Sequence, residues 1–273
     1  MAIETYLHIT AGSWAKAKHS RYSSHMSIRV AVLGAQGRMG STVCQAVSDA
    51  DDMELVARLD AGDAITPETL GGADVVVEFT VPSVTKKNVL ALIETGVNVV
   101  VGTTGWDKDS LAEVEEAARA KGVHVLIAPN FALSAVLLMA FAEKAAPYFE
   151  SVEVLELHHP NKVDAPSGTA TTTAGRIAKA RAAAGVSASP DATESDPHGA
   201  RGANIDGVHV HAVRLRGLNA HEEVLLGNPG EQLVIRQDSF DRESFMPGVL
   251  LAVRKVSACG AFTYGLDSLL NLD

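Results

Sequence analysis

The apolar positions of the chain fall into two regimes. From Ile28 to about residue 150, short runs of consecutive aliphatic residues alternate with stretches of helical spacing. IRVAVLG (Ile28 to Gly34), MELVARLD (Met53 to Asp60), DVVVEFT (Asp74 to Thr80), NVVVGTT (Asn98 to Thr104) and HVLIAPN (His124 to Asn130) read as five strands. Helical stretches lie between them at Arg38 to Ala50, Thr85 to Glu94 and Asp107 to Lys121, and an apolar helix follows at Phe131. Strands that are apolar along their whole length have both faces covered, as in a parallel sheet wound between helices. The pattern predicts an α/β unit with a doubly wound parallel sheet.

After about residue 150 the period changes. SVEVLELHH reads as a strand and SGTATTTAGRIAKARAAAG as a helix, followed by a long polar segment, VSASPDATESDPHGARGANIDG, that reads as a surface loop. GVHVHAVRL, HEEVLLGN and EQLVIRQDS alternate apolar with polar residues between Gly- and Asn-containing turns, the pattern of an antiparallel sheet with one open face. An apolar helical segment from Arg242 to Cys259 is suited to pack back on the first unit. The expected division is a dinucleotide-type unit over residues 26–131, completed by 241–273, and a smaller α+β unit with an open mixed sheet over 132–240. Residues 1–25 contain no apolar core of a signal peptide and end near Ser-Ser-His-Met, which resembles a cloning scar. They are read as an expression tag, or else as a disordered natural arm, with Met26 as the expected native start.

Composition narrows the function classes. A chain of 273 residues with 47% hydrophobic and 21% charged residues belongs among soluble globular proteins. Its longest apolar run, FALSAVLLMAFA (Phe131 to Ala142), is too short to span a bilayer, so no membrane association is expected. The net charge of −10 argues against general nucleic-acid binding but permits a local basic pocket. Cys44 and Cys259 lie far apart in predicted helical segments and are expected to be free thiols, which fits a reducing cytoplasm.

Two stretches carry chemistry. GAQGRMG (Gly34, Ala35, Gln36, Gly37, Arg38, Met39 and Gly40) closes the first strand and opens a helix. Glycines there let the backbone turn tightly and approach a pyrophosphate, which the helix N-terminus favours. Asp60, 20 residues past Gly40 at the end of the second strand, is suited to the ribose hydroxyls of NAD. A glycine turn needed only for packing is the alternative. Arg38 is suited to a 2′-phosphate, or is simply solvated, so NADH, NADPH or both stay open. The loops Gly102, Thr103, Thr104 and Ala128, Pro129, Asn130, Phe131, with Phe79 and Thr80, fall at the C-terminal ends of strands, where ligands bind in open α/β sheets. Their small residues suit a nicotinamide amide or ribose, although Thr104 and Asn130 could be ordinary helix caps.

The second stretch is ELHHPNKVDAPSGTA (Glu156 to Ala170). His158 and His159 end a strand with diverging side chains, and Lys162 follows in the turn. Pro166 is expected in the first helical turn, with Ser167 or Thr169 as cap and Gly168 allowing close approach. Exposed amides beside three protonatable groups form an anion pocket that also offers acids. Hydride addition to C=C or C=N leaves negative charge that a nearby acid must protonate, and histidine and lysine are able to donate near neutral pH. A polar strand end leading into a capped helix is the plainer reading. No metal site is expected, because adjacent strand histidines diverge and lack companions at zinc spacing.

On these residues the chain from Ile28 to Asp273 resembles the 4-hydroxy-tetrahydrodipicolinate reductases, also called dihydrodipicolinate reductases, of bacterial lysine and diaminopimelate synthesis. ELHHPNKVDAPSGTA is specific to that family, and GTTGW, APNFA and SFMPGVLLAVR agree in order and spacing. The resemblance implies a Rossmann-type cofactor unit, use of NADH or NADPH, and a homotetramer built through the open sheet of the substrate unit. It implies His158 as proton donor and acceptor, Lys162 as second proton donor, and His159, Gly168 and Thr169 as contacts to a substrate carboxylate. It places the cofactor along Gly34 to Met39, Asp60, Gly102 to Thr104 and Ala128 to Phe131. Asn161 departs from the pattern, standing where a further basic residue is expected. Two other functions compete. One is another two-domain dehydrogenase acting on aspartate-derived substrates, which would not be expected to carry HHxxK followed by SGT. The other is a non-catalytic NAD-binding sensor.

Overall fold

A computed structural model describes residues 27–272; the segment read as a tag and Met26 lie outside the described residues. The first sheet begins with β1 (Ile28–Leu33), whose IRVAVL sequence is buried over its last four residues. It leads through the glycine turn into α1 (Arg38–Asp49) and then β2 (Met53–Leu59). β3 (Val75–Glu78), α2 (Pro82–Glu94), β4 (Asn98–Val101), α3 (Lys108–Lys121) and β5 (Val125–Ile127) continue the alternation. Asp107 caps α3, accepting from the Ser110 amide, and Gly122 ends it in the left-handed conformation.

α4 (Leu133–Ala145) leads to β6 (Ser151–His158) and α5 (Gly168–Ala183). β7 (Ala203–Ile205), β8 (Val208–Arg214), β9 (Ala220–Asn228) and β10 (Glu231–Ser239) follow. α6 (Met246–Lys255) and β11 (Phe262–Tyr264) come last. No helix among the described residues is long and apolar enough to cross a membrane.

All pairs in the first sheet are parallel, in the order β11-β5-β4-β3-β1-β2. The order reverses at β1, so the loops after β1 and β3 diverge and leave a crevice at their C-terminal ends. Strand alternation feeds two cores. Val30 and Val32 face a cluster shared with α1, α4 and α6, whereas Ala31 and Leu33 face the cluster beneath α2 and α3. The first cluster continues into Val152, Val154, Val224 and Leu226 of the second sheet, so that one apolar body underlies both sheets.

The second sheet is mixed, in the order β10-β9-β6-β8-β7, with β6 and β8 parallel. The three late strands do not form one consecutive antiparallel set, because β6 lies between β8 and β9. Sequence periodicity shows which face of a strand is buried but not its neighbour, and here β6 pairs along both, over six residues of β8 and eight of β9. Other expectations also change. The polar segment holds β7, whose three residues pair with β8. The segment from Arg242 divides into short 3-10 turns around α6, with Cys259 in a bend beyond them. Cys44 is buried in α1, and both thiols are free.

The interior of the second sheet holds a costly pair. Glu156 of β6 and Glu222 of β9 stand directly opposite in register, exposed by 0% and 2%. Glu156 is held by several donors, but Glu222 Oε1 has no hydrogen-bond partner among the described residues. Burial, helped by the negative charge of Glu156 and opposed by the Thr173 hydroxyl, raises the Glu222 carboxyl from 4.5 to about 7. The folded value lies above the ordinary one, so its stability contribution is full below 4.5 and is lost as the pH rises through about 7. The loss is on the order of 3 kcal/mol. Glu222→Gln should therefore raise the melting temperature by roughly 5 °C or more at about pH 8 and leave it little changed at about pH 5. Thermal melts at the two pH values check this, and equal shifts at both would refute the titration of Glu222.

Candidate active site

The glycine turn is built by contacts that exclude a side chain. Gly34 has φ +87°, and a Cβ there would lie 2.1 Å from the Phe79 carbonyl oxygen. A Cβ on Gly40 would lie 1.9 Å from the Gly34 oxygen, so both glycines are required by packing alone. Gly37 is the N-cap of α1 and makes no side-chain cap, which leaves the first helical amides open toward the crevice. The carboxylate of Asp60 accepts from the Gln36 amide at 2.7 Å and from Ala61 N at 2.8 Å, tying the end of β2 to the turn. Uncapped amides with an acid at the ribose distance are the donor set a dinucleotide requires.

Three adjoining cavities run from this turn to the second sheet. A cavity of about 380 Å³ is lined by Gly34, Gly37, Asp60, Phe79, Thr80 and Asn88 among others. It shares Gly37 and Thr80 with one of about 470 Å³ that brings together Arg38, Met39, Gly102, Thr103, Thr104, Pro129, Asn130 and Phe131. Met39 and Phe245 also face the third, about 640 Å³, which holds His158, His159, Asn161 and Lys162. Ala35 and Ala128 are buried behind the loops, and the exposed Gln36 contributes its backbone amide to Asp60. Thr104 caps no helix, and Asn130 accepts from Ala132 N while its own amide reaches Thr169 Oγ1 at 3.4 Å. That last contact joins the end of β5 to the start of α5.

Glu156 organises the far cavity. Its carboxylate, at the centre of β6, accepts from Arg214 Nη1 and Nη2 at 2.7 and 2.8 Å and from the Ser167 amide at 3.0 Å. It also meets His158 Nδ1 at 2.6 Å. Residues two apart on a strand share a face, so Glu156 and His158 are placed together by the pleat. Burial pushes the Glu156 carboxyl up, but the hydrogen bonds of Arg214 and His158 outweigh it and hold the group below its ordinary value. Burial likewise lowers the His158 imidazolium, aided by the charges of Lys162 and Arg214 and opposed by Glu156. The result is an imidazole oriented through Nδ1, with Nε2 left for the cavity.

The helix beyond is started by Ser167, whose hydroxyl accepts from Ala170 N at 3.1 Å, so Pro166 precedes the cap rather than entering the first turn. A Cβ on Gly168 would meet nothing within 4 Å, and packing does not demand the glycine. Lys162 Nζ donates to Asp164 at 2.7 Å. Lys162 holds the Asp164 carboxyl below its usual range, with a smaller contribution from the Gly168 amide. His159 Nδ1 is buried without a partner among the described residues.

Sequence reasoning missed four groups. Glu156 carried a signal, an acid two positions before His158 on one strand face, whereas Arg214 is 58 residues away in the chain and carried none. Asp164 lies inside the quoted stretch, and nothing in its local sequence marks it as the partner of Lys162. Glu78, the acid ending the Val run of β3, is fully buried among the hydroxyls of Thr80, Thr85 and Thr103. Burial raises its carboxyl and those hydroxyls oppose the rise.

The same architecture occurs in known proteins. Residues 28–131 match the family model of dihydrodipicolinate reductase, N-terminus, and residues 134–270 that of dihydrodipicolinate reductase, C-terminus. The 4-hydroxy-tetrahydrodipicolinate reductase of Bifidobacterium animalis subsp. lactis is 65% identical over 254 residues, covering 90% of this chain and 100% of that one. That of Beutenbergia cavernae is 62% identical over 248 residues, with the same coverage. Among solved structures, dipicolinate-bound dihydrodipicolinate reductase from Paenisporosarcina sp. TG-14 has a TM-score of 0.80 at 36% identity, over 90% of this chain and 100% of that one. The myo-inositol 2-dehydrogenase of Lactobacillus plantarum, 13% identical with a TM-score of 0.52 over 84% of this chain and 89% of that one, shares the fold alone. Two family models that together span nearly all described residues, and relatives well above half identical, make the chain a member of the dihydrodipicolinate reductase family.

Proposed function

We propose that the chain reduces 4-hydroxy-tetrahydrodipicolinate, the hydrated form of dihydrodipicolinate, to tetrahydrodipicolinate in bacterial lysine and diaminopimelate synthesis, with the 4-hydroxyl leaving as water and a hydride and a proton added. The observation that carries this reading is the continuity of the cleft. The cavity holding His158 and Lys162 shares Met39 and Phe245 with the one lined by the Gly102 and Pro129 loops. A nicotinamide cofactor serves the reaction, and its reduced ring supplies the hydride. Asp60 and the open amides of α1 would hold the dinucleotide. Asp60 favours an unphosphorylated ribose and Arg38 a phosphorylated one, so both NADH and NADPH are expected to serve.

The chain's own residues would do the rest. The α5 start, with Gly168 open to approach, and Thr169 bind one substrate carboxylate through amide and hydroxyl donors. His159, in the lining of the same cavity, adds a second donor. Lys162, an ammonium already hydrogen-bonded to a carboxylate, delivers the proton that follows hydride addition. His158, kept neutral by burial and fixed by Glu156, accepts and relays protons through Nε2. The exposed face of the second sheet, where Val213 and Val234 remain 36% and 45% exposed, suits assembly into a homotetramer.

Three outcomes follow from this reading. Supplied with pyruvate, aspartate semialdehyde and the preceding synthase, the protein should oxidise NADH or NADPH, read as loss of reduced-nicotinamide absorbance. No oxidation above the enzyme-free control with either cofactor would sink the reading. Lys162→Ala should lower kcat by about 10²–10⁴-fold while cofactor affinity stays unchanged; unaltered turnover would remove Lys162 from the chemistry. Sedimentation should show four chains per particle, and Val234→Lys should shift the population to smaller species. A monomeric wild type would refute the assembly.

A further inference from the structure

A buried acid with no cation beside it needs an explanation, because burial penalises it and a plain aliphatic residue would continue the Val run of β3. Glu78 is such an acid, at 0% exposure. It pairs in register with Leu33 of β1 and Val101 of β4, the last residues before the Gly34 and Gly102 loops. Its backbone carbonyl accepts from the Gly102 amide at 2.9 Å. Glu78 therefore sits at the level where all three cofactor-side loops leave the sheet.

Its side chain gathers the hydroxyls of those loops. Thr80 Oγ1 donates to Glu78 Oε1, and Thr85 Oγ1 donates to Oε2 at 3.0 Å. Thr103 also faces the carboxyl, and its Oγ1 accepts from the Thr80 amide at 2.7 Å, which links the β3 and β4 loops. Thr80 lines both cofactor-side cavities, so the knot lies where they meet. Thr85 is 2% exposed and lines neither cavity.

We propose that Glu78 is a positioning residue for the nicotinamide cofactor: its carboxyl turns the hydroxyls of Thr80 and Thr103 inward and sets the spacing of the two loops at the waist of the cleft. The inference rests on the reductase reading for the identity of the ligand. It concerns only the chain's own loops, and its test needs no turnover. A structural role alone would lower stability without changing cofactor affinity selectively. A positioning role changes affinity for the dinucleotide and spares the Lys162 cavity, whose walls do not touch Glu78.

The test measures Kd for NADH and NADPH, in the absence of substrate, for wild type, Glu78→Ala and Thr85→Val, together with melting temperatures and Kd for dipicolinate. Thr85→Val removes one hydroxyl from Glu78 and keeps the shape, so it remains informative where Glu78→Ala does not fold. The expected result is a roughly tenfold weaker Kd for both cofactors in Glu78→Ala and a several-fold weaker one in Thr85→Val, with dipicolinate affinity within about twofold of wild type. Cofactor Kd within about twofold of wild type in a folded variant, with only the melting temperature lowered, would overturn the proposal. Equal weakening of cofactor and dipicolinate would also overturn it. A wild type that binds neither cofactor would instead overturn the reductase reading on which the proposal rests.

Discussion

A single buried carboxylate, that of Glu156, holds the second sheet and the His158 side of the cleft in one arrangement. Taking an ionised acid into a fully buried position costs several kcal/mol unless its lone pairs are satisfied. Here they are satisfied by four donors from three elements: Arg214 from β8, the α5 amide at Ser167, and His158 on its own strand. Each donor is held in turn by the acid it satisfies. The bidentate arginine fixes the β6–β8 register, the amide fixes where α5 starts, and the imidazole is left with a single orientation. Removing any one partner would leave buried charge behind, so these three features are energetically linked.

The same logic at lower charge governs the first sheet. Its crevice exists because the strand order reverses at β1, and its shape depends on whether the loops after β1, β3 and β4 keep their spacing. Two kinds of contact set that spacing. The Gly34 and Gly40 approaches are so close that a methyl group would strike backbone, which is a steric constraint. The Glu78 hydroxyl knot is a polar one, and it adjoins the first, because Gly34 packs on Phe79 and Thr80. Each sheet thus carries a buried acid at its cleft end: Glu78 beneath the loops after β3 and β4 in the first, and Glu156 beside His158 in the second.

Most of this fold was legible because burial on both faces writes an unbroken aliphatic run, as in β1 and β3 to β5, whereas the edge strand β2 is interrupted by Glu54 and Arg58 and shows through its apolar majority. β7 and β11 were not legible. Each has three residues and becomes a strand only by pairing with a neighbour the local sequence does not specify. Pro166 was misplaced for a related reason: Ser167 wins the cap through its hydroxyl bond to Ala170, and either side of the cap accommodates proline. In the site, His158 and Lys162 stood out because they lie within five residues of each other in the chain. Glu156 was legible only through the strand period, and Arg214 not at all, since its role arises from the parallel pairing of β6 with β8.

The charges also explain how an acidic chain can offer an anion pocket. The net charge of −10 is distributed over the surface, where exposed pairs are screened within about 10 Å at moderate salt. Within the pocket, what matters is which cations are already matched. Arg214 is matched by Glu156, which is buried and cannot leave. Lys162 is matched by Asp164, whose side chain is 51% exposed. Asp164 also faces the Gly168 amide, so one half-exposed carboxylate is set between Lys162 and the start of α5. The Asp164 end of this pair is open to water while Lys162 is 21% exposed, so its carboxylate is rehydrated at lower cost than that of Glu156. The two pairs therefore differ in kind: that of Glu156 is too costly to break and keeps the geometry, whereas that of Lys162 is open to water on its acid side and breaks at lower cost.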